Sequence, residues 1–446
     1  MSATLAPERH LRRPVKVGGG GARRRSVWGL FDQAVSSLAN FVLGLAVARM
    51  VNPVDFGLFA LAFGMLMMAQ SMSRSLSSEP FAVRYSMRKD LPRRGVSAVL
   101  GTALAVGLIA ALLALAAAAA LSLSGAGAEA VALALVLALT TPLVLLHDAL
   151  RSVFLALGKP QRAVAINLGY ALILAGSLVG LTATDTTTAS GYLLWGNLAY
   201  APAVIAGLIL LGVVPRISRT GWWLHRHREL WPRFSVDAMV TSGVQQAILM
   251  LVAFVAGLAA AGQFRLILIL LGPIAVLVQG IWAVAVPELV RHGAVQENNP
   301  ATGRKMSRVY GGVTVAVSGT WAAALLVVPA NWLSAVAGES IQGALVLLPA
   351  LAIAQVLNSF NIGSIAGIRA LGAARRGMWT RILTSALRLA GTGLGIAVAA
   401  LLGGNLALGA AWGLAAGTLL NVVGWHLSYR QATREWDLTR SHKGDA

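Results

Sequence analysis

The chain alternates long apolar runs with short polar and mostly basic breaks. Twelve runs can be read, at 27–48, 56–82, 96–123, 129–150, 163–183, 190–212, 234–256, 264–288, 309–328, 342–368, 382–402 and 406–428. Each holds about 20 residues or more, the length an α-helix needs to cross bilayer hydrocarbon. Near-continuous apolar runs of this length leave no room for the two-residue alternation of half-buried strands. The pattern predicts an all-α polytopic membrane protein with about twelve transmembrane helices. Gly and Pro interrupt several runs, which helices in a bilayer tolerate.

The polar positions inside the runs are ordered. Asp32, Ser36 and Asn40 recur every four residues and so share one face of the first helix. Asp237, Thr241 and Gln245 repeat this acid–hydroxyl–amide stripe at an offset of 205 residues. At the same offset Ser37 matches Ser242, Gly57 matches Gly262 and Phe59 matches Phe264. Several matches in one register predict an internal duplication. The turns Ala156–Arg162 and Ala370–Arg376, each with glycine near a helix end, echo it.

Composition then narrows the class. The 446 residues are 57% hydrophobic and 12% charged, a membrane composition. Net charge is +20, which in a soluble chain would point to nucleic acid. Here the basic residues fall between apolar runs, so no nucleic-acid partner is expected. Of 36 Lys and Arg, 32 fall in segments that the twelve-run count places on one side. The four outside them are Arg49, Arg74, Arg265 and Arg388. The positive-inside rule puts that side, and both termini, in the cytoplasm of a multi-pass cell (inner) membrane protein. The predicted organisation is a basic tail (1–25), a six-helix bundle (26–212), a linker (213–233), a second six-helix bundle (234–428) and a tail (429–446). Six spans per half make the halves parallel, related by a pseudo-two-fold axis along the membrane normal, with a cavity between them. The linker interleaves Trp222, Trp223 and Trp231 with Arg226, Arg228 and Arg233, and reads as an interfacial amphipathic helix or a basic loop with aromatic-belt residues.

Ionised side chains within spans are costly enough to need partners or a wet cavity. Asp32 and Asp237 lie about two turns in from the basic side. Asp32 either neutralises Arg74 or lines a route. Arg74 heads a Gln70–Arg74–Ser78 stripe, and its guanidinium suits bidentate phosphate contact. Arg388 lies about two turns inside its span. Arg265 reads as snorkelling to the far interface. Glu79, His147, Asp148 and Glu288 sit nearer the basic ends, with His147-Asp148 read as a water-facing helix end. Gln355, Asn358, Ser359, Asn361 and Ser364 on the tenth span serve either helix–helix hydrogen bonding or a sugar-contacting wall. The cavity candidates are Arg74, Arg388, Asp32, Asp237, Asn40, Gln245, Gln355 and Asn358.

Enzyme chemistry finds no footing. There is no cysteine, the Gly18–Gly21 run lacks the Lys-Ser/Thr of a phosphate loop, and the histidines have no metal spacing. Neither metal nor cofactor is expected. His147-Asp148 is the single hint of a membrane enzyme.

The residues resemble the multidrug/oligosaccharidyl-lipid/polysaccharide (MOP) exporter superfamily, and in particular its polysaccharide and O-antigen flippase branch. The resemblance rests on the opening helix with its acidic stripe, on N-P-V-D-F-G-L-F-A at Asn52–Ala60 loosely repeated at Ala260–Arg265, and on A-L-G-K-P-Q-R at Ala156–Arg162. It implies two bundles rocking about a central cavity. It implies flipping of an undecaprenyl-diphosphate-linked oligosaccharide, with membrane lipids, a polymerase and glycosyltransferases as partners. It also implies a cationic cavity, for which Arg74 and Arg388 are candidates, and ion coupling at Asp32 and Asp237. On this reading Arg74→Ala abolishes export without loss of folded protein. The rival readings are a cation-coupled multidrug exporter, a major-facilitator transporter, and a membrane enzyme or scaffold. The Arg84–Gly95 loop has the facilitator's charges without its glycine order.

Overall fold

A computed structural model describes residues 19–85, 92–184, 188–278, 281, 300–338 and 340–444. Among these there are helices and no strands. The first half holds α1 (Gly19–Met50), α2 (Pro53–Leu76), α3 (Ser78–Tyr85), α4 (Arg93–Leu123), α5 (Ala128–Ala156), α6 (Pro160–Ala183), α7 (Ala189–Leu198) and α8 (Tyr200–Leu211). The linker carries α9 (Thr220–Arg226). The second half begins with α10 (Trp231–Ala238), a π-helical turn (Met239–Gly243) and α11 (Val244–Ala256), which together make one span. It continues with α12 (Leu258–Leu270) and α13 (Gly272–Val278). There follow α14 (Pro300–Val327), α15 (Ala330–Ala337), α16 (Ser340–Ala344), α17 (Leu348–Ala370), α18 (Ala374–Leu401) and α19 (Leu406–Gly444).

Among the described residues eleven spans are long and apolar enough to cross a membrane, and the α12–α13 pair, counted as one bent span, makes twelve. That pair bends by 41°. The cause is Pro273, which lacks an N–H and crowds the carbonyl one turn back. At the break, Trp321 Nε1 donates to the Leu270 carbonyl at 3.0 Å. The far end of this predicted span, Glu288 included, lies outside the described residues. The last helix runs on through Gly444, across the segment read as a tail.

The Asn52–Ala60 motif is a helix start. Asn52 Oδ1 accepts from the Val54 and Asp55 N–H groups, Pro53 fills the first turn, and Asn52 Nδ2 donates to Asp55 at 2.7 Å. Such a cap is worth about 1 kcal/mol. It fixes where α2 begins, and so the depth at which Gly57 sits.

Gly57 is where the halves meet. A Cβ there would lie 2.0 Å from the Leu258 carbonyl oxygen; a Cβ on Gly262 would lie 3.0 Å from the Gly57 nitrogen and the Pro53 oxygen. Helices α2 and α12 thus touch backbone to backbone, as small residues allow in lipid. Gly57 and Gly262 are also a matched pair of the 205-residue repeat. Equivalent residues facing one another is the signature of two related units about a two-fold axis.

The linker is helical at α9 and packs against the first half. Trp223 is fully buried, its Nε1 donating to the Leu76 carbonyl at 2.9 Å. Its ring packs with Phe81, Tyr85 and His227. Arg94 sits 4.5 Å over the Trp222 ring. The tryptophans therefore pin the linker to α2, α3 and α4.

Candidate functional site

Between the halves lies a cavity of about 740 Å³. On three helices the lining follows one rule. In α1 the wall is Gln33, Ser36 and Asn40, while Arg49 seals, donating to the Ala335 carbonyl at 2.7 Å. In α2 the wall runs from Gly64 to Arg74, while Gly57 seals. In α12 Phe264, Arg265 and Leu268 line, while Leu258 and Gly262 seal. The cavity is thus closed at the end away from the linker, and its polar wall lies toward the linker end.

The structure places Asn40, Arg74, Gln245, Gln355, Asn358 and Arg388 on this wall. The two predicted acids stand elsewhere. Asp32 is 1% exposed and sits behind the wall. Its Oδ2 lies 3.2 Å from Arg151 Nε, and Asn167 Nδ2 donates to its Oδ1 and to its backbone carbonyl. Its partner is therefore Arg151 and not Arg74. Arg74 instead makes a two-pronged bond to Asp148, from Nε and Nη2, both at 2.6 Å. Its side chain is 40% exposed, so it holds Asp148 and faces the cavity at once. Arg74→Ala would strand a buried carboxylate, so it tests folding together with transport.

Asp237 lies 3.0 Å from Arg381 Nε, and Arg381 Nη1 also reaches Asp237 Oδ2 at 3.3 Å and Thr241 Oγ1 at 3.2 Å. One guanidinium thus ties two members of the second stripe. The π-helical turn at Met239–Gly243 inserts into that stripe and re-aims it. Both Gln245 and Gln246 consequently reach the wall.

Three further expectations change. His147 and Asp148 are not at a water-facing helix end: they lie inside α5, largely buried, and border the central cavity. His147 packs on Tyr200, which stacks on Tyr170 at 3.7 Å. Arg151, counted with a basic loop, is inside α5 and buried. Arg265 does not snorkel outward; it lines the cavity 5.4 Å from the Phe63 ring. Glu79 is exposed.

The reading missed Arg151, Asn167, Tyr200, Arg381 and Asn421. Two signals were present. Arg151 follows Asp148 by three residues, on one helix face. Arg381, Ser385 and Arg388 form a polar stripe at helical spacing. Asn167 and Tyr200 had no such signal, being isolated polar residues in apolar runs.

The charge balance of the wall is one-sided. Among the described residues Arg74, Arg151, Arg265, Arg381 and Arg388 line it, against the single carboxylate Asp148. Asp32 and Asp237 stand behind Arg151 and Arg381. That leaves Arg265 and Arg388 without a carboxylate among the described residues, each with a buried, unbonded Nε. The described residues hold no cluster suited to a metal ion.

No protein-family model and no curated protein matches the sequence. Solved structures do match its fold. An inward-facing multidrug resistance MATE family transporter of the MOP superfamily superposes with a TM-score of 0.67 at 16% identity, over 91% of this chain and 96% of that one. The outward-facing conformation of a multidrug resistance MATE family transporter gives 0.63 at 16% identity, over 93% and 96%. A MOP superfamily transporter from Pyrococcus furiosus, described as having a binding pocket of reverse polarity that suggests a different function, gives 0.62 at 17%, over 93% and 95%. At these identities the likeness is one of fold, and it spans nearly the whole of both chains. With two six-span halves closed on each other at one end and a polar cavity between them, the chain has the fold of the MATE transporters of the MOP superfamily.

Proposed function

We propose that the protein is an alternating-access exporter of an anionic amphiphile, a lipid-diphosphate-linked oligosaccharide of the undecaprenyl type, carried from the cytoplasmic to the outer leaflet. The observation that carries this reading is the surplus of two guanidiniums, Arg265 and Arg388, on a wall whose other arginines have carboxylate partners. A guanidinium keeps its charge when dehydrated and binds phosphate through two N–H groups. Moving a diphosphate past hydrocarbon needs such replacement contacts. The amides Asn40, Gln245, Gln355, Asn358 and Asn421 offer sugar hydroxyls both donors and acceptors. The sealed end and the basic linker end fit a cavity loaded from the cytoplasmic side, where the positive-inside rule puts the linker.

A multidrug exporter of cationic drugs would want free acid on the wall, and the acids here are engaged. In proteoliposomes, a fluorescent short-chain prenyl-diphosphate disaccharide should cross the bilayer only where the protein is present. Arg388→Gln should slow that movement by tenfold or more, roughly one lost charge-assisted contact of about 1.5–3 kcal/mol. The protein should stay monodisperse. Transport of a cationic dye, with no movement of the diphosphate probe, would overturn the proposal.

A further inference from the structure

A second cavity, of about 670 Å³, lies between α18 and α19 near the linker end. It is a groove that the packing of these two helices leaves open. Toward the sealed end the two backbones touch. A Cβ on Gly395 would lie 2.1 Å from the Gly409 carbonyl, and one on Gly391 would lie 2.6 Å from that of Gly413. This small-residue seam runs down to Gly424, which meets the Thr384 methyl. Below it the side chains become large: Trp379 and Leu383 on α18, Leu427 on α19, all exposed at the groove. Thr380 and Ser428 bond at 2.6 Å across its floor.

The mouth of the groove is basic. Arg375 and Arg376 occupy the first turn of the 28-residue helix α18, where the backbone's own positive end adds to them. Arg375 is exposed. Arg376 donates to Glu435 at 2.5 Å, and its Nη1 is buried with no hydrogen-bond partner among the described residues. From Arg376 to Leu383 is about 10 Å along the helix, enough for the start of an acyl chain. Trp379 stands between charge and apolar wall, where an amphipathic ring belongs at a membrane interface.

We infer that this groove holds an acidic phospholipid of the surrounding membrane. Its phosphate sits on Arg375 and Arg376, and one acyl chain starts between Leu383 and Leu427. A basic pocket between spans, open to lipid, selects negatively charged headgroups over zwitterionic ones. The site stands apart from the transport reading above. It bears on it through Thr384, which lines both the groove and the central cavity, on the helix that carries Arg381 and Arg388.

The test uses the full chain in a neutral detergent, titrated with phosphatidylglycerol, phosphatidylcholine or inorganic phosphate and read by native mass spectrometry. Phosphatidylglycerol should be retained as a discrete adduct, and the other two should not. Combining Arg375→Gln with Arg376→Gln should weaken that adduct about tenfold. Leu427→Trp, which fills the groove and leaves the charges alone, should weaken it too. Glu435→Gln should strengthen it, by removing the carboxylate that competes for Arg376. If Arg376 proves necessary for folding, Arg375→Gln alone and Leu427→Trp carry the test. Equal retention of phosphatidylcholine, equal binding of free phosphate, or unchanged phosphatidylglycerol binding in the arginine and tryptophan variants would overturn the assignment.

Discussion

The two acids of the repeated stripe share a position and lead different lives. Asp32 is 1% exposed, gripped by Arg151 and twice by Asn167. Asp237, its counterpart, is 43% exposed and paired with Arg381, with Thr241 sharing the same guanidinium. The partners come from helices that do not correspond, α5 in one half and α18 in the other. The acid thus stands on the first span of each half, and its cation comes from a different helix in each. The first half made a buried lock that ties α1 to α5 and α6. The second made a more accessible pair, with Arg381 on the cavity wall and Asp237 behind it, where an anion could compete for Arg381. The difference is one of solvent: the same carboxylate–guanidinium pair is costly to break in a dry bundle and cheap in a wet one.

The largest expected effect follows from that contrast. Asp32→Ala leaves Arg151 charged and buried, and should cost about 3–5 kcal/mol of stability. Asp237→Ala should cost about 1 kcal/mol or less. Thermal unfolding of the two variants in the same detergent compares them directly, and equal losses would break the comparison. Asp32→Leu with Arg151→Met should recover most of the loss, since a packed apolar pair can replace a buried ionic one.

A smaller asymmetry is expected at the seam between the halves. Gly57→Ala drives a methyl into a main-chain carbonyl at 2.0 Å, and Gly262→Ala meets its neighbours at 3.0 Å. The first should cost about 1–3 kcal/mol, and the second less, because a shift of a few tenths of an ångström relieves it. The chain has no cysteine of its own, so single cysteines placed near Arg49 can report whether the sealed end has opened. Greater labelling in Gly262→Ala than in Gly57→Ala would reverse the expected order.

The smallest effect concerns the linker, which is fastened to the first half. His227 is buried, paired through Nδ1 with the Trp223 carbonyl at 2.9 Å, and burial holds its pKa below the usual histidine range. Arg84 and Arg226 push the same way. A histidine kept neutral in the folded state contributes stability above its unfolded pKa, near 6.5, and loses it as pH falls through the folded value. Acidification from about pH 7 to about pH 5 should therefore loosen α9, seen as a change in tryptophan emission, and His227→Gln should flatten that response. An unchanged response in His227→Gln would assign it to another group.

The sequence by itself determined the helices, their number and the kinship of the halves. Length and apolar continuity are local properties, and a bilayer demands that each span satisfy its own backbone. The 205-residue repeat was legible because Gly57 and Gly262 must stay small where two backbones touch. What only the tertiary structure decided was pairing. An arginine's charge carries no address. Nothing in the run around Arg74 distinguishes Asp148, which it holds, from Asp32, which it does not. Pairing depends on which faces of α1, α2 and α5 meet, and that is set by packing over the whole bundle rather than by any one segment. The surplus charge of the cavity is likewise a sum over side chains on α1, α2, α5, α10, α12 and α18, and it became visible once each acid had been given to its partner.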